Sequence, residues 1–160
     1  MSILEVLTLF CLCLIPGLEP RYVVLLGLAK GYSLLTVLAI TLTSTVILAL
    51  LLSYAMPLID RLMNYLQGTY LRKVSELYFK YVNYVRRRSY KYASLGLVGI
   101  ILFIAIPVPA TGMWTGAILG HLLGLNRCRM FLSLLLGGIA SQLIVLLTGY
   151  LPLLSLLKIT

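Results

Sequence analysis

Apolar residues run along this chain in long blocks, not in the short stripes of a water-soluble fold. Four can be read: residues 2–29, broken by Pro16, Gly17, Glu19, Pro20 and Arg21; residues 32–56, ending near Pro57; residues 93–125, broken by Pro107, Pro109 and Gly112; and residues 130–157. A helix that crosses a bilayer needs about 20 apolar residues, so the second and fourth blocks are predicted spans. The first and third each divide into two short helices, 4–15 with 20–30 and 95–106 with 112–124. At about 1.5 Å per residue each half reaches roughly half way through a bilayer. Each broken block is therefore either one interrupted span or a hairpin that enters and leaves on the same side.

The pattern changes between the second and third blocks. Leu62, Tyr65, Leu66, Leu71, Val74, Leu77, Tyr78, Tyr81, Val82, Val85 and Tyr92 stand among basic residues there, with spacings of three and four prominent from 71 to 85. This predicts one or two amphipathic helices, parted near Gly68, lying along the inner leaflet. Tyrosines suit the headgroup level, and Arg86, Arg87 and Arg88 form a cluster that can hold anionic lipid. A nucleic-acid patch would use the same residues, but the phospholipid surface is the nearer polyanion, so no nucleic-acid partner is expected.

Composition and charge sharpen the picture. The chain of 160 residues is 61% hydrophobic and 11% charged, with a formal net charge of +9; a soluble domain carries about 25% charged residues. Much of the positive charge lies in residues 58–92, as Arg61, Arg72, Lys73, Lys80, Arg86, Arg87, Arg88 and Lys91, which marks that stretch as cytoplasmic. If the third block is a re-entrant hairpin, Arg127 and Arg129 stay on the same side, as the positive-inside rule prefers. The first block then enters from the exterior, the second runs inward and the fourth outward, with Ser2 and Thr160 outside. A cleaved signal peptide is the alternative for the first block, but Met1 to Glu5 lack a basic start, and Pro16 to Arg21 make a poor small-residue cleavage site.

The expected fold is thus an all-α polytopic membrane protein forming one membrane domain. Residues 1–57 make a re-entrant broken-helix hairpin plus a full transmembrane helix, residues 58–92 a basic amphipathic cytoplasmic segment, and residues 93–160 the same unit inverted. Interrupted helices in inverted repeats are where secondary transporters build midplane sites. The two units share break position and hydropathy only, since aligning Pro16 with Pro107 sets Glu19 against Ala110.

Glu19 and Arg21 are ionisable at the centre of a broken block, where such groups are costly and functional by default. The alternatives are a structural pair, or a turn shallow enough to be wet. Residues two apart do not face each other on a helix, so Pro20 and non-helical backbone are needed to bring them together. Thr111 is read as the N-cap of a half-helix beginning at Gly112, and Pro20 fits the first turn of the half-helix after Glu19. Both half-helices would then aim free N–H groups, which attract anions, at the protein centre. With Arg21 they suit a phosphate or carboxylate, and Glu19 can exchange a proton. Alternatively Thr111, Pro107 and Pro109 only shape the bend, as Pro16 and Pro20 shape the first. Thr41, Ser44 and Gln142 line the site or bond helix backbones. Trp114 closes the pocket or packs in the core. Cys11, Cys13 and Cys128 give no metal pattern. No phosphate-binding loop, Ser-His-Asp set or paired carboxylates are found, so neither a cofactor nor an enzymatic activity is expected.

Ile106-Pro107-Val108-Pro109-Ala110-Thr111-Gly112-Met113-Trp114-Thr115-Gly116 resembles a signature of the small multidrug export protein family, itself akin to the wider DedA and SNARE-associated (VTT) group. Glu19-Pro20-Arg21 resembles more weakly the family's first signature, in which a proline follows later; Leu25 stands about where it would be. The resemblance covers nearly the whole chain. It implies two facing re-entrant hairpins in a prokaryotic plasma membrane, and relatives that look like movers of lipids, polyprenyl phosphate carriers among them.

The expected function is a proton- or ion-coupled secondary transporter of a small organic ion or amphipathic compound. The alternatives are a translocase of lipid phosphates or polyprenyl phosphate, and a non-transporting scaffold. Membrane lipids, the coupling ion and a second copy of the chain are the expected partners, with Gly96, Gly99, Gly137, Gly138 and Ala140 available for a homodimer contact.

Overall fold

In a computed structural model, described here for residues 2–68, 70, 72–93, 96–108 and 111–157, every regular element is helical. The side chains of 88–93 and 150–157 also lie outside the described residues, as do Pro109 and Thr160. Helix α1 spans Ile3–Leu14, α2 Glu19–Ala29, α3 Leu34–Leu66, α4 Arg72–Ala93, α5 Gly96–Ala105, α6 Met113–Leu122 and α7 Arg127–Leu157. The two predicted interruptions fall where expected. Local chemistry sets several ends. Ser2 and Glu5 form a reciprocal capping box on α1. The Ser33 hydroxyl accepts from the Thr36 N–H at the start of α3.

Helix α3 differs from expectation at its end. It runs through Pro57 to Leu66 in place of stopping near the proline. Proline removes one backbone bond, to the carbonyl of Ser53, but Leu58, Ile59 and Leu62 continue the apolar spacing and the remaining ladder is kept. The predicted parting near Gly68 is found, with α3 ending before it and α4 starting at Arg72.

Two helices, Leu34–Leu66 and Arg127–Gly149, are long and apolar enough to cross a membrane. They run in opposite directions. The beginning of α7 meets the later part of α3, where the Arg127 guanidinium lies over the Tyr54 ring at 5.0 Å. Its later part meets the beginning of α3, where Leu146 packs with Val37. Each short pair folds back on itself along one of these rods. Helix α5 runs parallel to α7, with Ile100 near Met130 at Gly120 and Ile104 at Gly137. Helix α6 runs back, with Gly120 beside Met130 and Gly116 beside Leu134. Likewise α1 follows α3, Val6 to Phe10 lying along Ala39 to Thr43, and α2 returns with Gly27 against Val37. The two units also interlock, because α2 packs on α7 and α6 packs on α3.

Helix α6 is buried on nearly every face, as a helix apolar all round should be. Its seat is made by side-chain deletion. Ile104 of α5 is wedged between Gly116 and Gly137, and a Cβ on Gly138 would meet Thr45 and Met113. Gly137 and Gly138, offered by the sequence as dimer contacts, thus pack within the chain. Gln142 ties α7 to α3 by donating to the Thr41 carbonyl at 3.2 Å and the Thr45 hydroxyl at 2.7 Å.

Candidate functional site

The two interruptions bring the candidate residues Glu19, Arg21 and Gly112 to one point. In the first, Ile15 to Leu18 make a tight turn: Gly17 has φ +94, and the Leu18 N–H donates to the Ile15 carbonyl at 3.2 Å. Proline before a glycine of positive φ is the chemistry of a type II turn. Glu19 follows with φ +47, a conformation that costs a non-glycine residue roughly 1–3 kcal/mol. It is the only described non-glycine residue with positive φ. That bend brings Arg21 back toward its neighbour, with Nε 3.5 Å from Glu19 Oε2. Pro20 sits in the first turn of α2. Glu19 is 3% exposed and Arg21 5%, so the pair is buried and the turn before it is not what holds the charges.

In the second interruption, Thr111 is not the helix cap. Its hydroxyl lies 2.6 Å from the carbonyls of both Ile106 and Val108 and accepts from the Val108 N–H at 3.2 Å. It closes the bend after Pro107, leaving nothing to cover the first N–H groups of α6. Gly112 is the capping residue by position and has no side chain to offer. The cap comes from the other unit: Met113 N–H donates to Glu19 Oε2 at 3.1 Å, and Trp114 N–H to Glu19 Oε1 at 3.4 Å. A carboxylate at a helix N-terminus satisfies two orphan donors and the positive end of the dipole together. The expected free N–H groups at α6 are therefore occupied. A Cβ on Gly112 would collide with the same carboxylate.

Glu19, Pro20, Arg21, Ile104, Met113, Gly138 and Ser141 enclose a cavity of about 10 Å³, room for about one water. Arg21 Nε and Nη1 and Ser141 Oγ are buried there without a hydrogen-bond partner among the described residues. The guanidinium also lies over the Tyr22 ring, 4.8 Å from its centre. Of the predicted site residues, Glu19, Arg21, Gly112 and the Trp114 backbone meet. Thr41 and Ser44 bond their own helix carbonyls, and Gln142 joins helices; none of the three lines the cavity. Ser141 and Gly138 do, and only the turn of α7 distinguishes Ser141 from Gln142. The Trp114 ring packs against the main core with Nε1 unpartnered among the described residues.

A larger concavity lies elsewhere, about 580 Å³ and lined by Gln67 at the end of α3 and by Glu76, Phe79, Lys80, Asn83, Tyr84 and Arg87 of α4. Arg86 and Arg87 are exposed, and the Arg88 side chain lies outside the described residues. This groove is peripheral, whereas Glu19 and Arg21 are buried and convergent.

A second polar cluster forms around His121, the sole histidine, which the sequence places at the end of a half-helix near the cytoplasmic face, in a proton role or a plain interfacial position, without indicating its partners. Asp60 near the end of α3 lies 3.6 Å from His121 of α6 and accepts from Tyr78 of α4 at 3.4 Å. Burial first, then the Asp60 charge and hydrogen bond, push the Tyr78 hydroxyl up to about 12 from its ordinary 10. A raised tyrosine contributes stability that is complete below pH 10 and lost as pH rises through about 12. Alkaline titration should therefore loosen α4. Thermal unfolding measured across that window will show the loss in the wild type, and Tyr78→Phe will remove this contribution to the slope.

The family described as "Putative small multi-drug export protein" matches residues 19–144. The chain belongs to this family, within the DedA and SNARE-associated (VTT) group. Membership and the two membrane-length apolar helices support a membrane-associated protein with a general transport role. No curated protein and no solved structure matches it.

Proposed function

We propose that this protein is a secondary transporter whose two broken-helix hairpins re-enter the membrane from opposite faces and meet at a midplane site built on Glu19. The observation that carries the reading is the buried Glu19 carboxylate of the first hairpin capping α6 of the second. One ionisable group holds both halves of the repeat, so a change in its protonation acts on the contact between them. The helix directions support the re-entrant architecture. The Glu5 carboxylate near the start of α1 interacts with Tyr32 just before α3, so the first hairpin begins and ends at one level. His121 near the end of α6 reaches Asp60 on the side from which α4 leads into α5, so the second does the same at the other. The Ile15 to Leu18 turn is exposed, and exposed non-helical backbone at membrane depth needs water or protein beside it. A water-filled entry to Glu19 meets that need.

The cargo on this reading is a small organic ion or amphipathic compound, and protons are the coupling ion. In proteoliposomes with an imposed proton gradient, Glu19→Gln is expected to lower driven flux by about 100-fold, with counterflow exchange less affected, because exchange does not require the proton step. Flux of a fluorescent phospholipid without flux of soluble ions would favour lipid translocation. Undiminished flux in the variant would exclude Glu19 as the coupling group, and no flux of any probe would leave the scaffold reading. For topology, Arg87→Cys and Arg129→Cys in a cysteine-free background are expected to be modified from the same face. Opposite faces would make the α5–α6 unit a full crossing.

A further inference from the structure

The N-terminus of α6 and the Arg21 guanidinium form an oxyanion site that is filled by a group of the protein itself. Glu19 presents two oxygens, one on the Met113 N–H and 3.5 Å from Arg21 Nε, the other on the Trp114 N–H. This is how a bidentate phosphate or carboxylate would sit. Its fit is incomplete: Arg21 Nε, ion-paired with Glu19, together with Arg21 Nη1 and Ser141 Oγ, is buried without a hydrogen-bond partner among the described residues, and both residues line the small cavity beside it. A single carboxylate has too few oxygens in reach for that donor set, whereas a larger oxyanion has more. Glu19 is also held at φ +47, next to Gly17 at φ +94. Leaving α6 lets its backbone relax toward an ordinary conformation, which offsets part of the loss of two hydrogen bonds. The cavity has room for about one water, so no oxyanion can enter beside Glu19. It has to take its place.

Resting on the reading of Glu19 as the coupling group, we propose that the Glu19 carboxylate is a resident stand-in for an anionic cargo. An oxyanion displaces it from the Met113 and Trp114 N–H groups and binds beside Arg21 and Ser141, while Glu19 withdraws as the neutral acid. Binding of the anion is thus coupled to uptake of a proton by the displaced carboxylate, and with a monoanion the site keeps its net charge through the exchange. The cargo is a phosphate- or sulfonate-like anion, free or on an amphipathic tail. Cations are excluded while Arg21 stays in place.

The groups around Glu19 leave it as the proton acceptor. On α2 it faces Arg21 and Tyr22; the α6 turn from Met113 to Thr115 and the α7 turn from Gly138 to Ser141 carry no ionisable side chain. Ile104 is the lining residue from α5, and no residue of α3 or α1 lines the cavity among the described residues; Cys13 of α1 lies near Ser44 of α3. From α4, Tyr81 senses the Glu19 charge; burial first, then that charge, raises its hydroxyl.

The chain's one tryptophan is Trp114, whose backbone N–H is released in the exchange, so its fluorescence reports the event. In nanodiscs, octanesulfonate as a monoanion and inorganic sulfate as a dianion do not change charge across pH 6–8 and serve as probes, with octyltrimethylammonium as the matched cation. Octanesulfonate affinity is expected to rise by about tenfold per unit fall in pH. Calorimetry in buffers of different ionisation enthalpy should show proton uptake by the wild-type protein. Glu19→Gln should bind with the low-pH affinity at every pH, and Arg21→Ala should lose at least about 100-fold. Phosphatidic acid against inorganic phosphate at one pH separates a lipid headgroup from a free anion. Binding without proton uptake in the wild type would overturn the proposal, whether or not the variants fold; so would preference for octyltrimethylammonium that disappears in Glu19→Gln. Anion binding with proton uptake but no flux in proteoliposomes sinks the transport reading and leaves this one standing. Flux of cations alone does the reverse.

Discussion

Gly112→Ala is expected to abolish proton-coupled flux while leaving the helical bundle folded. The new Cβ would occupy the position of both Glu19 oxygens. The clash is with the end of a flexible side chain, so the carboxylate yields and the backbone of α6 does not. Glu19 then loses the Met113 and Trp114 N–H groups, and Arg21 loses its counter-charge at 3.5 Å. Water reaching the released carboxylate recovers some of the cost, so stability should fall by about 2 kcal/mol, below the roughly 3–6 kcal/mol of two bonds to a charged group. Function should fall further, because a displacement on the order of 1 Å at a positioned group reduces a rate by about 100-fold. Flux in proteoliposomes and thermal unfolding in nanodiscs measure the two effects separately. Adding Glu19→Asp shortens the side chain by one methylene and should restore part of the flux. If Gly112→Ala transports normally, Glu19 does not act from the α6 N-terminus.

The second large effect is on folding. A Cβ at Gly137 would lie 2.8 Å from Ile104 Cβ and 3.1 Å from the Ile101 carbonyl oxygen. Here the obstacle is backbone and the stem of a side chain, which cannot swing away. Helices α5 and α7 must separate, and close packing between helices is what holds a membrane bundle together in lipid. Gly137→Leu is expected to destabilise by about 3 kcal/mol or more, lowering Tm by about 10 °C for a chain of this size. Leu136, one residue away and exposed, is the control: Leu136→Ala should leave Tm within a degree or two. Combining Gly137→Ala with Ile104→Ala returns space at the wedge and should be milder than Gly137→Leu. Equal Tm values for Gly137→Leu and wild type would show that α5 does not sit against α7 at this register.

These two glycines mark where sequence reasoning stops. Both stood out as small residues in apolar blocks, but Gly112 was read as the first residue of a half-helix and Gly137 as a possible dimer contact. What each one accommodates is a side chain from another element, Glu19 in one case and Ile104 in the other. Spacing along the chain carries no information about which residue arrives from a distant element, as Glu19 does at Met113 from 94 positions away. Thr111 shows the same limit. Its type and position fit an N-cap, and its hydroxyl instead closes the bend, 2.6 Å from the Ile106 and Val108 carbonyls that its own loop brings beside it.

What the sequence by itself determined was everything written in local patterns: the lengths of the apolar blocks, the places where Pro and Gly interrupt them, the amphipathic basic segment, and the cost of putting Glu19 and Arg21 among apolar residues. Those depend on backbone propensity and solvent transfer, which act residue by residue. The tertiary structure alone decided that Glu19 caps α6, that Ser141 faces the cavity while Gln142 ties α3 to α7, and that Asp60 meets His121 and Tyr78. Each of these depends on the rotation and register of one helix against another. A side chain on a helix turns by about 100° per residue, so the difference between lining a site and joining two helices is a single position. Only the packed bundle fixes it.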